Sequence, residues 1–226
     1  VYAGCLAPLI PQAADDVRMA DVFSVDEAGA AVVVRHLHGR GSLELETFSY
    51  GGLFYYIPLG LLQVLGALGL ETTDRMILLT MRSVCLVSGA GCLWLTWLVG
   101  TRVFGFSAAL AGTILLAATP TFLRWSVEIH PDLPQLFWLL CGLLWILRLR
   151  EGPGHRAALL AGLFAGLAAG TKYAGAFMMP LVAAALFLPG AGRSAWDDLR
   201  GRLACRARWS DLGLAIGAFL GTFALT

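Results

Sequence analysis

The sequence predicts an all-α protein, a polytopic bundle of transmembrane helices with an extracytoplasmic first loop that contains interfacial helices. Three observations carry that prediction. The chain is 58% hydrophobic and only 14% charged, whereas soluble domains carry about 25% charged residues. Its mean hydropathy is +0.74, and the apolar residues fall in repeated long runs that suit spanning helices better than one large soluble core. Finally, arginines gather in alternate connections between those runs, the asymmetry that orients membrane proteins.

Taken in order, residues 1–11 are too short to cross a bilayer and are expected to be the end of a first spanning helix. The chain starts without Met and stops inside an apolar run, so it is expected to be part of a longer protein. Residues 12–75 are expected to form an extracytoplasmic loop. Within it, Glu27 to Leu37 is alanine-rich and predicts a helix, with Ser24 or Asp26 as its cap and Gly39 and Gly41 at its end. Residues 48–70 are long enough to span, but Gly51, Gly52, Pro58 and Gly60 are expected to break the helix, and Tyr50, Tyr55 and Tyr56 suit the interface. That stretch is expected to lie in the membrane surface. Residues 76–226 carry the predicted spans: Ile77–Val99, Phe106–Phe122, Pro134–Leu147, Ala157–Gly170, Tyr173–Leu188 and the start of a sixth at Leu212–Thr226.

The connections set the orientation. Arg102 lies in one, Arg148, Arg150 and Arg156 in the next but one, and Arg193, Arg200, Arg202, Arg206 and Arg208 in a third. If the complete spans alternate, all three lie on one face, which is then cytoplasmic. The opposite face receives only Arg124 and Lys172. Residues 1–75 hold nine acidic and four basic residues; with the broken, tyrosine-rich 48–70 stretch, this puts the first loop outside. The net charge of +1 carries no information by itself, and the arginine-rich 193–208 connection fits anionic headgroups rather than nucleic acid.

Three polar elements then meet the outer face: the adjacent carboxylates Asp26 and Glu27, the stretch Arg124 to Asp132 with Glu128 and His130, and Lys172 with Tyr173. Ionisable groups among apolar helices are functional candidates. A carboxylate suits general-base work on a hydroxyl or amide nucleophile, and a Lys or Arg suits a phosphate. Structural alternatives stand beside each role. Asp26 and Asp132 are suited to helix caps, Lys172 to a side chain snorkelling from a helix end, and Pro131 argues against one helical face shared by Glu128 and Asp132. His36 and His38 are expected to be solvated loop residues. The five cysteines form no paired motif and suit packing. Gly166 to Lys172 has the composition but not the spacing of a phosphate loop. Gly162, Gly166 and Gly170, every fourth residue, make a helix-packing stripe.

An ordered series of short motifs goes further. Asp26-Glu27 is followed by the aromatic, proline-containing stretch Tyr50–Gly66. Arg82-Ser83 opens a span that runs to Gly100-Thr101-Arg102-Val103-Phe104-Gly105. Thr119-Pro120, Asp132-Leu133-Pro134 and Gly162-Leu163-Phe164-Ala165-Gly166-Leu167 follow, and the series ends at Thr171-Lys172-Tyr173. Over roughly residues 15–190 the chain resembles the N-terminal half of membrane-embedded GT-C glycosyltransferases related to protein O-mannosyltransferases and the lipid A aminoarabinose transferase. The resemblance implies a polyprenyl-phosphate sugar donor, an acceptor of protein, lipid or glycan type, and a catalytic carboxylate at Asp26 with Glu27 beside it. It also implies an acidic residue near the site at Asp132, and a bacterial-type plasma membrane with the site on the extracytoplasmic face. Glu128, His130, Arg124, Lys172 and Tyr173 are the remaining expected substrate contacts, the phosphate role of Lys172 being an inference from its charge. No cofactor or metal ligand set is expected. The alternative is a secondary transporter or another non-enzymatic multispan protein. Transporters place ionisable groups at the bilayer midplane within internal repeats, and the sequence shows neither pattern.

Overall fold

The computed structural model describes residues 25–45, 49–188 and 195–226, with side chains described from Glu27 onward and from Asp198 onward in the first and last stretches. The regular structure of these residues is helical, with no strand among them. They are α1 (Val25–Arg40), α2 (Leu53–Ala67), α3 (Asp74–Phe104), α4 (Phe106–Ala118), α5 (Pro120–Val127), α6 (Asp132–Glu151), α7 (His155–Thr171), a 3-10 turn (Tyr173–Phe177), α8 (Met178–Phe187), α9 (Ala195–Ala204) and α10 (Arg206–Ala224). The chain divides into two compact units between Phe137 and Trp138, within α6.

In the first unit, α1 buries Glu27, Ala30, Ala31, Val34 and Leu37, the three-and-four spacing of one helix face. That face packs with Phe54, Tyr55, Leu59 and Leu62 of α2 and with Ile77, Leu78 and Met81 of α3. The helix continues through Gly39 and ends at Gly41, whose φ of 63° reverses the chain. His36 and His38 therefore lie on its last turns rather than in a loop. Asp26 is inside the first turn; Ser24, the other expected cap, lies outside the described residues, as do residues 1–11. An exposed ion pair between Arg35 and Asp74 joins α1 to the start of α3.

The expected break in 48–70 occurs only at its start. Gly51 and Gly52 precede α2, which then runs through Pro58 and Gly60. A proline here removes one backbone hydrogen bond, and burial of Pro58 and Leu59 against the core offsets that loss. With 15 residues, α2 is about 22 Å long, too short to cross a hydrocarbon core of about 30 Å upright. Tyr56 donates to the Leu43 carbonyl at 2.8 Å, and burial pushes its phenol above the ordinary value.

Two helices, α3 and α6, are long and apolar enough to cross a membrane; they contain the predicted spans Ile77–Val99 and Pro134–Leu147. Phe106–Phe122 does not form one straight span. It is broken between α4 and α5 with a bend of 63°, and the pair meets the spanning criterion only when taken together. The cause is local: Thr119, held extended at ψ 121° before Pro120, leaves the helical region, and Pro120 then opens α5. At the other end of α4, Gly105 alone joins it to α3 with φ 85°, and Gly100 and Ala109 come into close contact beside this hairpin.

In the second unit α7 and α10 run parallel. The order of contacts settles this: Gly162 meets Ala215, Gly166 meets Phe219 and Thr222, and Gly170 meets Thr226. The glycine stripe expected for packing therefore lies directly against a neighbouring backbone. Tyr173–Leu188 begins as the 3-10 turn before α8, and Leu212–Thr226 falls in α10 as far as Ala224, with Leu225 as its cap. Ile146, Leu149, Ala158, Ala161, Ala165, Val182 and Leu186 fill the core.

Candidate active site

Glu27 is one residue past Asp26 on the buried face of α1. Its side chain is 0% exposed, an expensive position for a carboxylate unless it is paired and hydrogen-bonded. Both conditions are met. Arg82, on α3 and 4% exposed, donates from Nε to Oε1 at 2.9 Å and from Nη2 to Oε2 at 2.8 Å. This is the bidentate fork that planar guanidinium and carboxylate geometry favours. The backbone N–H of Ile129 donates to Oε1 at 2.8 Å.

That last bond matters because Ile129 belongs to the short extended connection between α5 and α6. Glu128, with ψ 159°, ends α5, so Glu128 and Asp132 share no helix. The connection is held at every residue. Arg124 donates to both Glu128 oxygens, at 2.8 and 2.9 Å. The Cys85 thiol faces the His130 carbonyl at 3.5 Å. The His130 ring stacks on Trp125, with centroids 4.5 Å apart and planes 3° apart, and its Nδ1 lies 2.7 Å from Asp132 Oδ2. Asp132 itself sits in the first turn of α6, where the helix dipole favours a carboxylate.

The first unit thus brings together Glu27, Arg124, Glu128, His130 and Asp132. Asp26 occupies the first turn of α1 next to Glu27, and its side chain lies outside the described residues. Lys172 and Tyr173 belong to the second unit. There Lys172 is half-buried at the extended C-terminal cap of α7, and Tyr173 makes an edge contact with Phe223.

Arg82 is not among the site residues expected from the sequence, although the sequence carries a signal for it. It is a lone cation nine residues into a long apolar helix, and charged groups there need a partner. The thiols of Cys85 and Cys92, anticipated only as packing, also face carbonyls, those of His130 and Leu133.

Residues 68–221, more than half of the chain, match the family model described as dolichyl-phosphate-mannose-protein mannosyltransferase. The chain belongs to this family. It is therefore a membrane glycosyltransferase of the mannosyltransferase type. No curated protein and no solved structure matches the chain. The match includes Arg82, the 124–132 connection, Lys172 and Tyr173, while Asp26 and Glu27 lie ahead of its first residue. The ion pair between Glu27 and Arg82 and the Ile129 N–H bond to Glu27 thus link the carboxylate doublet to the part that carries the family pattern.

Proposed function

We propose that this mannosyltransferase-family protein transfers a sugar from a polyprenyl-phosphate carrier to an acceptor at the extracytoplasmic face, with Asp26 as general base. One observation carries the reading: the 2.8 Å bond from Ile129 N–H to Glu27. It ties the helix turn that holds Asp26 to the connection that holds His130 and Asp132, and so supports a common face for all three. A transporter reading gains nothing comparable.

In this reading the doublet divides its work. Both Glu27 oxygens are occupied by donors and the side chain is closed to solvent, a poor state for accepting a proton. Glu27 is the positioning residue and Asp26 the proton acceptor. Asp26 takes the proton from the acceptor's nucleophile as that atom bonds to the sugar's anomeric carbon. The carbon–oxygen bond to the lipid phosphate breaks, and the lipid phosphate leaves as the anion. Lys172, beside Tyr173 in the chain, and Arg124, which also pairs with Glu128, are the expected phosphate contacts. His130 and Asp132 are the expected contacts to the sugar.

The test uses membranes containing the protein and a radiolabelled polyprenyl-phosphate sugar. Wild type and Asp26→Asn are compared at matched expression. Label transfer is expected in the first and a loss of at least about a hundredfold in the second. Equal transfer would remove Asp26 from the mechanism.

A further inference from the structure

The second unit gathers arginines at one end. Because α7 and α10 are parallel, both N-termini lie there, and the C-terminal turn of α6 joins them through Trp145 and the 152–154 turn. Three of the arginines at this end are committed. Arg150 donates to the Leu188 carbonyl at 3.3 Å and Arg208 to the Leu186 carbonyl, satisfying the C-terminus of α8. Arg202 pairs with Asp198 at 3.1 Å. Asp211, the buried carboxylate nearby, is occupied by Gly154 N–H and His155.

Arg148 and Arg156 are different. One comes from the last turn of α6 and the other from the first turn of α7, yet both guanidiniums sit on the same indole, that of Trp145, at 5.0 and 5.8 Å from its centroid. Neither has an ion-pair partner among the described residues. Each contact with the ring is attractive by itself, but both charges are left without an anionic group among these residues to balance them. The position of Arg156 adds to this, because a cation in the first turn of a helix opposes the helix dipole, and α7 has no acidic residue there. The same holds for α10, which begins with Arg206 and Arg208 and has no side-chain cap.

The depth of this end is marked by aromatics. Trp209 is 52% exposed while stacking on Phe187 at 4.7 Å, and its indole N–H donates to the Leu203 carbonyl at 2.8 Å. A tryptophan with an apolar body turned outward and a satisfied polar tip suits the headgroup level of a bilayer.

We propose that Arg148 and Arg156, held against Trp145, form a binding site for the phosphate of an anionic phospholipid headgroup on the arginine-rich side of the membrane. The headgroup phosphate bridges the two guanidiniums and balances charge that Asp211, already held by Gly154 N–H and His155 at the α7 N-terminus, does not reach. The acyl chains follow the apolar flank marked by Trp209. A free phosphate would satisfy the charges but would leave that flank unused.

The test reconstitutes the full protein into nanodiscs of phosphatidylcholine with added phosphatidylglycerol and measures the retained lipid by native mass spectrometry. Wild type is expected to retain phosphatidylglycerol several-fold over phosphatidylcholine. Arg148→Gln/Arg156→Gln is expected to reduce that preference by roughly tenfold or more, with an unchanged elution profile because both side chains are exposed. Arg102→Gln, an exposed arginine in the last turn of α3, is expected to retain the wild-type preference. The proposal fails if wild type shows no preference, if the double variant keeps it, or if Arg102→Gln loses as much. It also fails if millimolar inorganic phosphate displaces the lipid, which would make the ligand a soluble phosphate.

Discussion

Glu27 and Asp211 are both carboxylates with no solvent exposure, and each accepts a backbone N–H from a distant segment: Ile129 for the first, Gly154 for the second. Their ionic partners separate them. Arg82 is 4% exposed and makes a bidentate contact, whereas His155 is 68% exposed and makes one contact at 2.6 Å. The comparison teaches that the same anchoring device behaves in two ways. In the first unit both charges are sequestered, so removing either leaves the other buried without its bidentate partner. In the second the histidine reaches water, and the backbone bond does most of the anchoring. The dry pair lies beside the candidate active site, where a fixed geometry contributes most to chemistry.

The largest effect expected from this contrast is at Arg82. Arg82→Gln leaves Glu27 buried beside a neutral partner and is expected to cost about 3–5 kcal/mol, read as thermal unfolding of the detergent-solubilised protein, with loss of sugar transfer. The double substitution Glu27→Leu/Arg82→Met removes both charges and is expected to recover much of the stability. Transfer should stay low in the double variant, since Ile129 N–H no longer has its acceptor. A double variant no more stable than the single one would show that the pair is not sequestered as described.

A smaller effect tests whether the second unit depends on close packing instead of a dry ion pair. A side chain at Gly162 would overlap the Ala215 carbonyl, and backbone cannot rotate away; at Gly217, on α10, nothing lies within 4 Å. Gly162→Leu is expected to destabilise by about 1–3 kcal/mol in the same unfolding assay. Gly217→Leu should lie near wild type. Equal effects would show that α7 and α10 are not locked through the glycine face.

What was legible in the sequence follows the range of the interaction. The buried face of α1, the spans within α3 and α6 and the glycine stripe of α7 all show as short periodic patterns. Glu27 stood out as part of a doublet, but its partner is 55 residues away and the Ile129 N–H 102 residues away, beyond any periodic signal. Asp211 had no signal either, being at the edge of an arginine-rich connection and 57 residues from the N–H it holds. The bend at Thr119-Pro120 is another matter. The bias of a residue before proline is local, and the long apolar run across it outweighed that bias in the reading of one span.

The smallest effect is the one that separates the two parts of the second anchor. Asp211→Ala leaves the Gly154 N–H without its acceptor in a partly buried position, and is expected to cost about 1–3 kcal/mol. His155→Ala removes a largely exposed group that makes one contact with Asp211 and is expected to change stability by no more than about 0.5 kcal/mol. Amide exchange over the first turn of α7 gives a local readout: faster exchange in Asp211→Ala, near wild type in His155→Ala. A His155 variant as costly as the Asp211 variant would mean that the exposed imidazole anchors α7 as firmly as the buried arginine anchors α1. The difference in solvent access would then not decide how the two carboxylates act.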